Sequence, residues 1–148
     1  MKKPTTTTPQ FTLKKIQSDF PKQKINTPQD AANFIRQFYS DDIEIWESVF
    51  LLMLNRNNVT TGFAKISQGG TAGTVIDVKI VAKYALDNLA SGVILAHNHP
   101  SGNLKPSDQD IQITKRIRDG LKLLDIELCD HIILTATSYT SLQAEGLF

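Results

Sequence analysis

The pattern of apolar and polar positions divides the chain into a polar N-terminal segment and a region that alternates helices with strands. Residues 1–26 are rich in threonine, lysine and proline, and predict a flexible basic arm with one short apolar anchor at Phe11, Leu13 and Ile16. Residues 27–148 predict one domain, because a chain of 148 residues is long enough to bury a single core.

Three segments have apolar residues at helical spacing. The first begins at Thr27 and Pro28, a good N-cap followed by proline at the first helical position. The second begins after Asp77, and the third runs from Ser107 to about Leu124. The positions expected to face the core are Ala31, Phe34, Ile35 and Phe38 in the first helix, Val78, Val81, Ala82, Ala85, Leu86 and Leu89 in the second, and Ile113, Ile117, Leu121 and Leu124 in the third.

Short apolar runs between these segments predict β-strands. Residues 46–54 suit a strand covered on both faces, with residues 59–67 returning as its hairpin partner. A glycine-containing turn at 68–73 precedes the second helix. Residues 92–96 and 129–135 predict two further strands, and 139–144 a last short element. Helices that alternate with strands and hairpins predict an α/β fold with a mixed sheet.

Composition and charge argue against nucleic-acid binding as the main function. The chain is 41% hydrophobic and 21% charged, with a formal net charge of +1, which is ordinary for a globular protein. DNA-binding domains tend to be clearly basic, and here the lysines concentrate only in the N-terminal arm, so at most a weak DNA or repair-complex association is expected.

The single cysteine limits the disulfide and metal chemistry that is possible, and the lack of long apolar runs bears on the cellular compartment. Cys129 excludes an intramolecular disulfide and a cysteine-based zinc cage, and its apolar surroundings predict a buried, inert thiol rather than a nucleophile activated by His131. No apolar run approaches the roughly 20 residues of a membrane span, and no secretory signal is recognisable. We therefore expect a cytoplasmic protein that is not in a membrane, of undetermined oligomeric state.

The stretch from His97 to Asp110 carries the clearest chemistry. His97 and His99 follow a predicted buried strand, and residues i and i+2 of an extended segment point to the same side. A carboxylate from the start of the next helix, Asp108 or Asp110, would complete a site with two histidines, one aspartate and an open position for water. Such open sites are usually catalytic.

Ser107 and Asp110 also fit a capping box, which is an ordinary helix-start pattern. The two interpretations are compatible if Ser107 caps the helix while Asp110 turns toward the metal instead of backward. Asp108 would lie on another side of the helix, so only one of the two aspartates can face the histidines.

Hydrolysis also requires a proton acceptor near the metal-activated water. Glu47 interrupts the apolar run at 46–54, where a buried charge is costly without a partner. Glu44 is the second candidate, and a solvent-facing Glu47 is the plain structural alternative.

These residues resemble the JAB/JAMM (MPN-like) metallopeptidase family, whose pattern is an upstream Glu, then H-x-H-P, six residues, and S-x-x-D. The resemblance is closer to the RadC-type branch, which has HNHPSG, PS-x-x-D and a later D-H pair. These motifs appear here at residues 97–102, 106–110 and 130–131. The match extends over about residues 42–147.

The resemblance implies a mixed sheet flanked by helices, in a cytidine-deaminase-like JAB/MPN architecture. It implies zinc (Zn²⁺) held by His97, His99 and Asp110. Glu47 would be the general acid/base, and Ser107 would hydrogen-bond the oxyanion or position the water. The implied activity is hydrolysis of an amide bond in a peptide or protein substrate.

Differences from the family pattern limit which properties of the family can be expected of this chain. Asn98 stands where the deubiquitinating members have Ser or Thr, so that activity is not carried over. Val78-Lys79-Ile80 replaces the Pro-Arg-Glu common in the branch, and only an arm and one helix precede the first strand, where longer members have a further helical domain.

Two other interpretations stay open. The first is a DNA-repair-associated or protein-binding module that keeps the fold without peptidase activity. The second is a metal-dependent nuclease, which the low positive charge and the single metal site disfavour. His131 is interpreted either as a buried, satisfied histidine or as a partner of the zinc ligands or of Asp130.

Overall fold

The computed structural model describes residues 7–12, 14–70 and 74–148, and these form one mixed sheet with helices on both faces. The predicted α/β class is therefore confirmed. The α-helices are α1 (Pro28–Arg36), α2 (Val78–Asn88) and α3 (Asp108–Lys122). The strands are β1 (Ser48–Leu54), β2 (Thr60–Gln68), β3 (Gly92–Asn98), β4 (Glu127–Leu134) and β5 (Tyr139–Ser141).

The sheet has the strand order β2-β1-β3-β4-β5. Only β3 and β4 are parallel among these neighbours, because α3 connects them as a crossover helix, and the other pairs are antiparallel. The two central strands β1 and β3 are buried along their whole length. Their continuous apolar sequences follow from coverage on both faces.

Two apolar clusters flank the sheet. On one face, Phe34 and Ile35 of α1 belong to the same buried apolar cluster as Phe50 and Ile94 of the sheet. On the other face, α2 and α3 cover Val49, Leu51 and Leu95, with Val81 and Ile117 among the buried helix residues. Alternate residues of β1 and β3 thus belong to different cores, and this alternation decides which residues reach the site described below.

The helix starts agree with the sequence prediction. The side chains of Thr27, Asp77 and Ser107 each accept a hydrogen bond from the first turn of the helix that follows. The helix ends agree less well, since Leu89 and Leu124 were expected in the core and are 83% and 43% exposed. Leu86 is 43% exposed as well. For Leu89 the expectation fails because α2 ends at Asn88 and Leu89 adopts a left-handed conformation, with φ 54°, outside the helix. Leu124 likewise lies beyond α3, which ends at Lys122.

The strand bounds differ from prediction mainly around the site. β1 begins at Ser48 rather than at residue 46, since a short 3-10 helix, Asp41–Glu44, and a loop precede it. β3 extends to Asn98, so His97 lies inside the strand. The last strand is shorter than expected and ends at Ser141.

The predicted apolar anchor of the N-terminal arm is wrong where it can be examined. Phe11 and Ile16 are each 88% exposed, whereas Leu13, Lys2, Lys3 and Gly73 lie outside the described residues. The chain instead contacts the domain through Phe20, which packs on the α1 face of the sheet, and through Ile25, which is buried. The predicted division at residue 26 stays a prediction.

Cys129 is half-buried beside the apolar core, and burial raises the pKa of its thiol to about 11. A thiol with so high a pKa is almost fully protonated at neutral pH and is a poor nucleophile. Among the described residues, no helix is both long and apolar enough to cross a membrane.

Candidate metal centre

The predicted site residues meet where β1 begins, β3 ends and α3 begins. In the antiparallel pair of β1 and β3, Val49 lies opposite His97. Side chains alternate along a strand, so Glu47, His97 and His99 belong to the same face of the sheet as Leu95. This is the face that α3 covers, and Asp110 lies in the first turn of α3.

The two histidines present the same nitrogen to one point. His97 Nε2 lies 3.0 Å from His99 Nε2. Asp110 Oδ1 is 3.5 Å from His97 Nε2, and Asp110 Oδ2 is 3.5 Å from His99 Nε2. The Asp110 carboxylate therefore faces both rings at once.

Glu47 lies slightly further away. Its Oε1 is 3.9 Å from the Nε2 atoms of both His97 and His99, and these three residues form a cluster with ligand atoms within 4.8 Å of one another. Its Oε2 accepts a hydrogen bond of 2.8 Å from the backbone N–H of Thr74. One carboxylate oxygen is thus tied to the backbone while the other faces the histidines.

The separations fit a metal ion of the size of zinc. Tetrahedral zinc with bonds of 2.0–2.1 Å holds its ligand atoms about 3.3 Å apart. The distances of 3.0 and 3.5 Å among His97, His99 and Asp110 fall on either side of that value. The atoms that would bind the metal are imidazole nitrogens and carboxylate oxygens, and both are common zinc ligands.

Asp110 has two functions at the helix start. Its Oδ2 accepts a hydrogen bond of 2.9 Å from Ser107 N–H, while Ser107 Oγ accepts one of 3.0 Å from Asp110 N–H. The expectation that Asp110 does not turn backward is wrong, since its carboxylate accepts from Ser107 N–H and also faces the two histidine rings. The capping box fixes the orientation of the Asp110 carboxylate because the same group caps the helix and faces the two histidines.

The charges around Asp110 favour its ionised form. Partial burial by itself would raise the pKa of Asp110, but hydrogen bonds with His97 and His99 outweigh it and hold the pKa well below its usual range. The Asp110 carboxylate in turn raises the pKa of His99, against the effect of burial. The site therefore pairs the ionised Asp110 carboxylate with the imidazole nitrogens of His97 and His99.

The other two carboxylates that the sequence offered do not belong to this cluster. Glu44 and Asp108 are both exposed, and among the described residues only Glu47 and Asp110 lie within ion-pair distance of the two histidines. The position of Asp108 follows from helix geometry, since it is two residues from Asp110 and projects from a different side of α3.

His99 is oriented by the loop that follows it. Its Nδ1 lies 2.6 Å from the carbonyl oxygen of Asn103, and a carbonyl can only accept, so Nδ1 carries the proton. The loop is shaped by a turn in which Gly102 N–H donates to His99 O, with Gly102 at φ 85°. Glycine adopts this left-handed conformation without strain.

Asn98 holds the segment that carries Glu47. Its side chain lies on the opposite face of β3 from the two histidines and is fully buried. Its Oδ1 accepts from Ser48 N–H at 2.8 Å, and its Nδ2 donates to the carbonyls of Ile43 and Trp46 at 2.7 and 2.9 Å. Asn98 thus binds the backbone on both sides of Glu47, a function that the sequence interpretation missed.

His131 and Thr114 form a second buried layer behind the histidines. His131 Nε2 lies 2.6 Å from His97 Nδ1, and His131 Nδ1 lies 2.6 Å from Thr114 Oγ1. Thr114 Oγ1 is also 2.5 Å from the carbonyl oxygen of Asp110. His131 is therefore a buried histidine with both ring nitrogens hydrogen-bonded, and one of its ring partners is His97. Its backbone N–H donates to Asp130.

Sequence reasoning missed Thr114, although the spacing contains the signal. Thr114 lies four residues after Asp110, so both residues fall on the same face of α3. No pattern in the sequence places His131 beside His97, because this contact depends on the parallel pairing of β3 with β4.

Comparison with known proteins identifies the family of the chain. Residues 25–147 match the model of the RadC-like JAB domain. A UPF0758 protein of Flavobacterium johnsoniae is 42% identical over 126 residues, which cover 85% of this chain and 54% of that protein. A UPF0758 protein of Porphyromonas gingivalis is 41% identical over 102 residues, covering 68% of this chain and 45% of the relative.

A third relative extends over more of the chain. A UPF0758 protein of Clostridium acetobutylicum is 35% identical over 133 residues, which cover 90% of this chain and 57% of that protein. The chain spans about half the length of these curated relatives. Since the family model matches 123 of 148 residues, from 25 to 147, this chain belongs to the family of RadC-like JAB domains.

Proposed function

We propose that this domain is a zinc-dependent hydrolase that cleaves an amide bond of a peptide or protein. The observation that carries the proposal is the convergence of His97 Nε2, His99 Nε2 and the Asp110 carboxylate, with Glu47 Oε1 3.9 Å from both rings. Three ligands with an acidic residue beside them leave a fourth metal position for water or substrate.

In this proposal Asp110 is the third ligand and Glu47 the acid/base. Each Asp110 oxygen is 3.5 Å from one of the two Nε2 atoms, closer than Glu47. Glu47 Oε2 is already bound to Thr74 N–H, so only Oε1 is free to exchange a proton. A glutamate with one oxygen bound to the backbone and the other free suits a general acid/base that exchanges protons with the water better than it suits a metal ligand.

A bound zinc would supply Lewis-acid activation of water and polarisation of the scissile carbonyl. Glu47 Oε1 would accept a proton from the attacking water and later transfer it to the leaving amine. Ser107 Oγ accepts from Asp110 N–H, so its own proton is available to donate to the oxygen that becomes negatively charged.

The first test is metal binding. Purified protein is expected to bind about one zinc per chain, measured by elemental analysis and by competition with a chromophoric chelator. His97→Ala and Asp110→Asn should abolish stoichiometric binding, whereas Asp108→Asn, a matched change in the same helical turn, should not. Full zinc occupancy in both site variants would refute the ligand assignment.

The second test separates an enzyme from a binding module. The wild-type protein and Glu47→Gln are incubated with a peptide library, and new N-termini are identified by mass spectrometry. We expect cleavage by the wild type, retained zinc in both proteins, and at least 100-fold slower cleavage by Glu47→Gln, with Glu44→Gln as the matched control. Partner or DNA binding that persists in Glu47→Gln, without cleavage by the wild type, would support the non-catalytic alternative.

A further inference from the structure

We propose that His131 and Thr114 are positioning residues that hold His97 in the tautomer with its proton on Nδ1, which leaves the Nε2 lone pair for the metal. The inference rests on the proposed metal site and extends it from the ligands to the buried groups behind them. Neither residue touches the point between the two Nε2 atoms, so both would act through His97.

The direction of the hydrogen bonds begins at Thr114. Its hydroxyl group has one proton, and its Oγ1 lies 2.5 Å from the carbonyl oxygen of Asp110. A carbonyl oxygen can only accept, so the hydroxyl proton is committed to Asp110. Thr114 Oγ1 must therefore accept at its other contact, which is His131 Nδ1 at 2.6 Å.

The proton on His131 then decides the proton on His97. With its proton on Nδ1, neutral His131 presents a lone pair at Nε2, which lies 2.6 Å from His97 Nδ1. His97 Nδ1 must carry the proton that is donated there. The other nitrogen of His97 is consequently unprotonated, and it is the one that faces His99 and Asp110.

Burial supports the neutral form of His131. The residue is fully buried, and no carboxylate lies within ion-pair distance of its ring among the described residues. An imidazolium at this position would still donate to Thr114, but it would also donate from Nε2 to His97 Nδ1. Neutral His97 would then carry its proton on Nε2, where it would block a metal.

The same chain connects two ligands that come from different elements. His97 lies in β3, His131 in β4, and Thr114 returns to the backbone of Asp110 in α3. Partners that orient a ligating histidine are typically worth about 10- to 100-fold in metal affinity. Loss of Thr114 Oγ1 should therefore weaken metal binding. The Thr114 hydroxyl would act indirectly, because it contacts Asp110 only at the backbone carbonyl oxygen.

The experiment compares Thr114→Val with Thr114→Ser in the full chain. Valine keeps the shape and removes the hydroxyl, whereas serine keeps the hydroxyl. Zinc affinity is measured by competition with a chromophoric chelator, and folding is checked by circular dichroism. We expect affinity about 10- to 100-fold weaker for Thr114→Val and within about threefold of wild type for Thr114→Ser. Equal affinities of the two variants would overturn the proposal.

A second measurement does not require metal. The protein has only three histidines, so ¹⁵N NMR of histidine-labelled, chelator-treated wild type can assign the tautomer of each ring. We expect His97 and His131 both to carry the proton on Nδ1, and Thr114→Val to shift both rings toward the Nε2–H form. His97 with its proton on Nε2 in the wild type would contradict the inference.

The two measurements distinguish this inference from the proposed function. If the wild type binds no zinc, the proposed metal site fails, and the NMR result alone decides whether the relay sets the tautomer of His97. If the wild type binds zinc and the Val and Ser variants bind it equally well, the metal site stands and the relay is wrong.

Discussion

Asn98 shows how one side chain can support Glu47, the proposed acid/base, without touching it. Its three hydrogen bonds, to Ser48 N–H and to the carbonyls of Ile43 and Trp46, all lie in the segment around Glu47. These backbone groups lie next to the apolar core, where an unpaired polar group is costly. Asn98 therefore couples the stability of this segment to the position of Glu47.

Replacing Asn98 by Ala should lower the free energy of unfolding by roughly 2–4 kcal/mol, because it leaves buried donors and acceptors without partners. Chemical denaturation measures the loss, and Asn57→Ala in an exposed turn is the control, with an expected change below about 0.5 kcal/mol. Zinc binding should persist in Asn98→Ala, while any hydrolysis falls as it does in Glu47→Gln. A stability within error of the wild type would show that Asn98 does not hold this segment.

His131 should make the stability of the metal-free protein depend on pH. Burial lowers its pKa in the folded state, whereas the unfolded state has a pKa of about 6.5. Below that pH the unfolded state binds more protons, so the contribution of His131 is complete above pH ~6.5 and is lost as the pH falls.

The stability difference between wild type and His131→Gln should therefore shrink from pH 7 to pH 5, with a limiting slope of about 1.4 kcal/mol per pH unit. Urea unfolding in the presence of a chelator measures this difference. Taking the difference between the two proteins removes the opposite contribution of His99, whose pKa is raised. A difference that is constant with pH would mean that His131 titrates normally in the folded protein.

At the scale of elements, the start of α3 joins helix capping to the site. The reciprocal hydrogen bonds of Ser107 and Asp110 stabilise the first turn and also aim the Asp110 carboxylate at both histidines. A pattern that is an ordinary helix start in most proteins thus has a second consequence here, because the helix begins beside the end of β3.

The cap and the hydroxyl of Ser107 can be separated by two substitutions. Ser107→Ala should destabilise the protein by about 1 kcal/mol, whereas Ser107→Asn, also a good N-cap, should change the free energy of unfolding by only a few tenths. Both variants remove the hydroxyl, so both should slow any hydrolysis that the wild type shows. Full activity in either variant would exclude Ser107 as a donor to the substrate oxygen.

At the scale of the whole molecule, the segment before α1 contributes more than its composition suggests. Phe20 packs edge-on against Phe38 and Phe63, with ring centroids 5.2 and 5.4 Å apart. Ile25 N–H donates to Asn58 O, and Thr60 N–H donates to Gln23 O, so this segment also pairs with the hairpin between β1 and β2.

Deleting residues 1–18 should therefore leave stability nearly unchanged, while deleting residues 1–26 should lower it by roughly 2–5 kcal/mol. The estimate follows from losing the burial of Ile25, at about 1.5–3 kcal/mol for a fully buried side chain, and the smaller contribution of the partly buried Phe20. Thermal and urea unfolding of the two truncated proteins measure the effect. Equal stability of the two would indicate that the boundary at residue 26 predicted from composition also holds for packing.

Local sequence determined the elements of this protein and the residue types of its candidate site. Helical spacing, the N-caps Thr27, Asp77 and Ser107, and the apolar runs of the central strands depend on interactions between near neighbours, which sequence records directly. Spacing alone also placed His97 and His99 on one side of an extended strand.

Only the tertiary structure decided which distant groups meet these histidines. Glu47 reaches them because β1 pairs antiparallel with β3 in the register that sets Val49 opposite His97. His131 reaches His97 because β4 lies parallel on the other side of β3, with Thr114 placed above by α3. Strand order and register result from the packing of the whole core, so no local pattern specifies them.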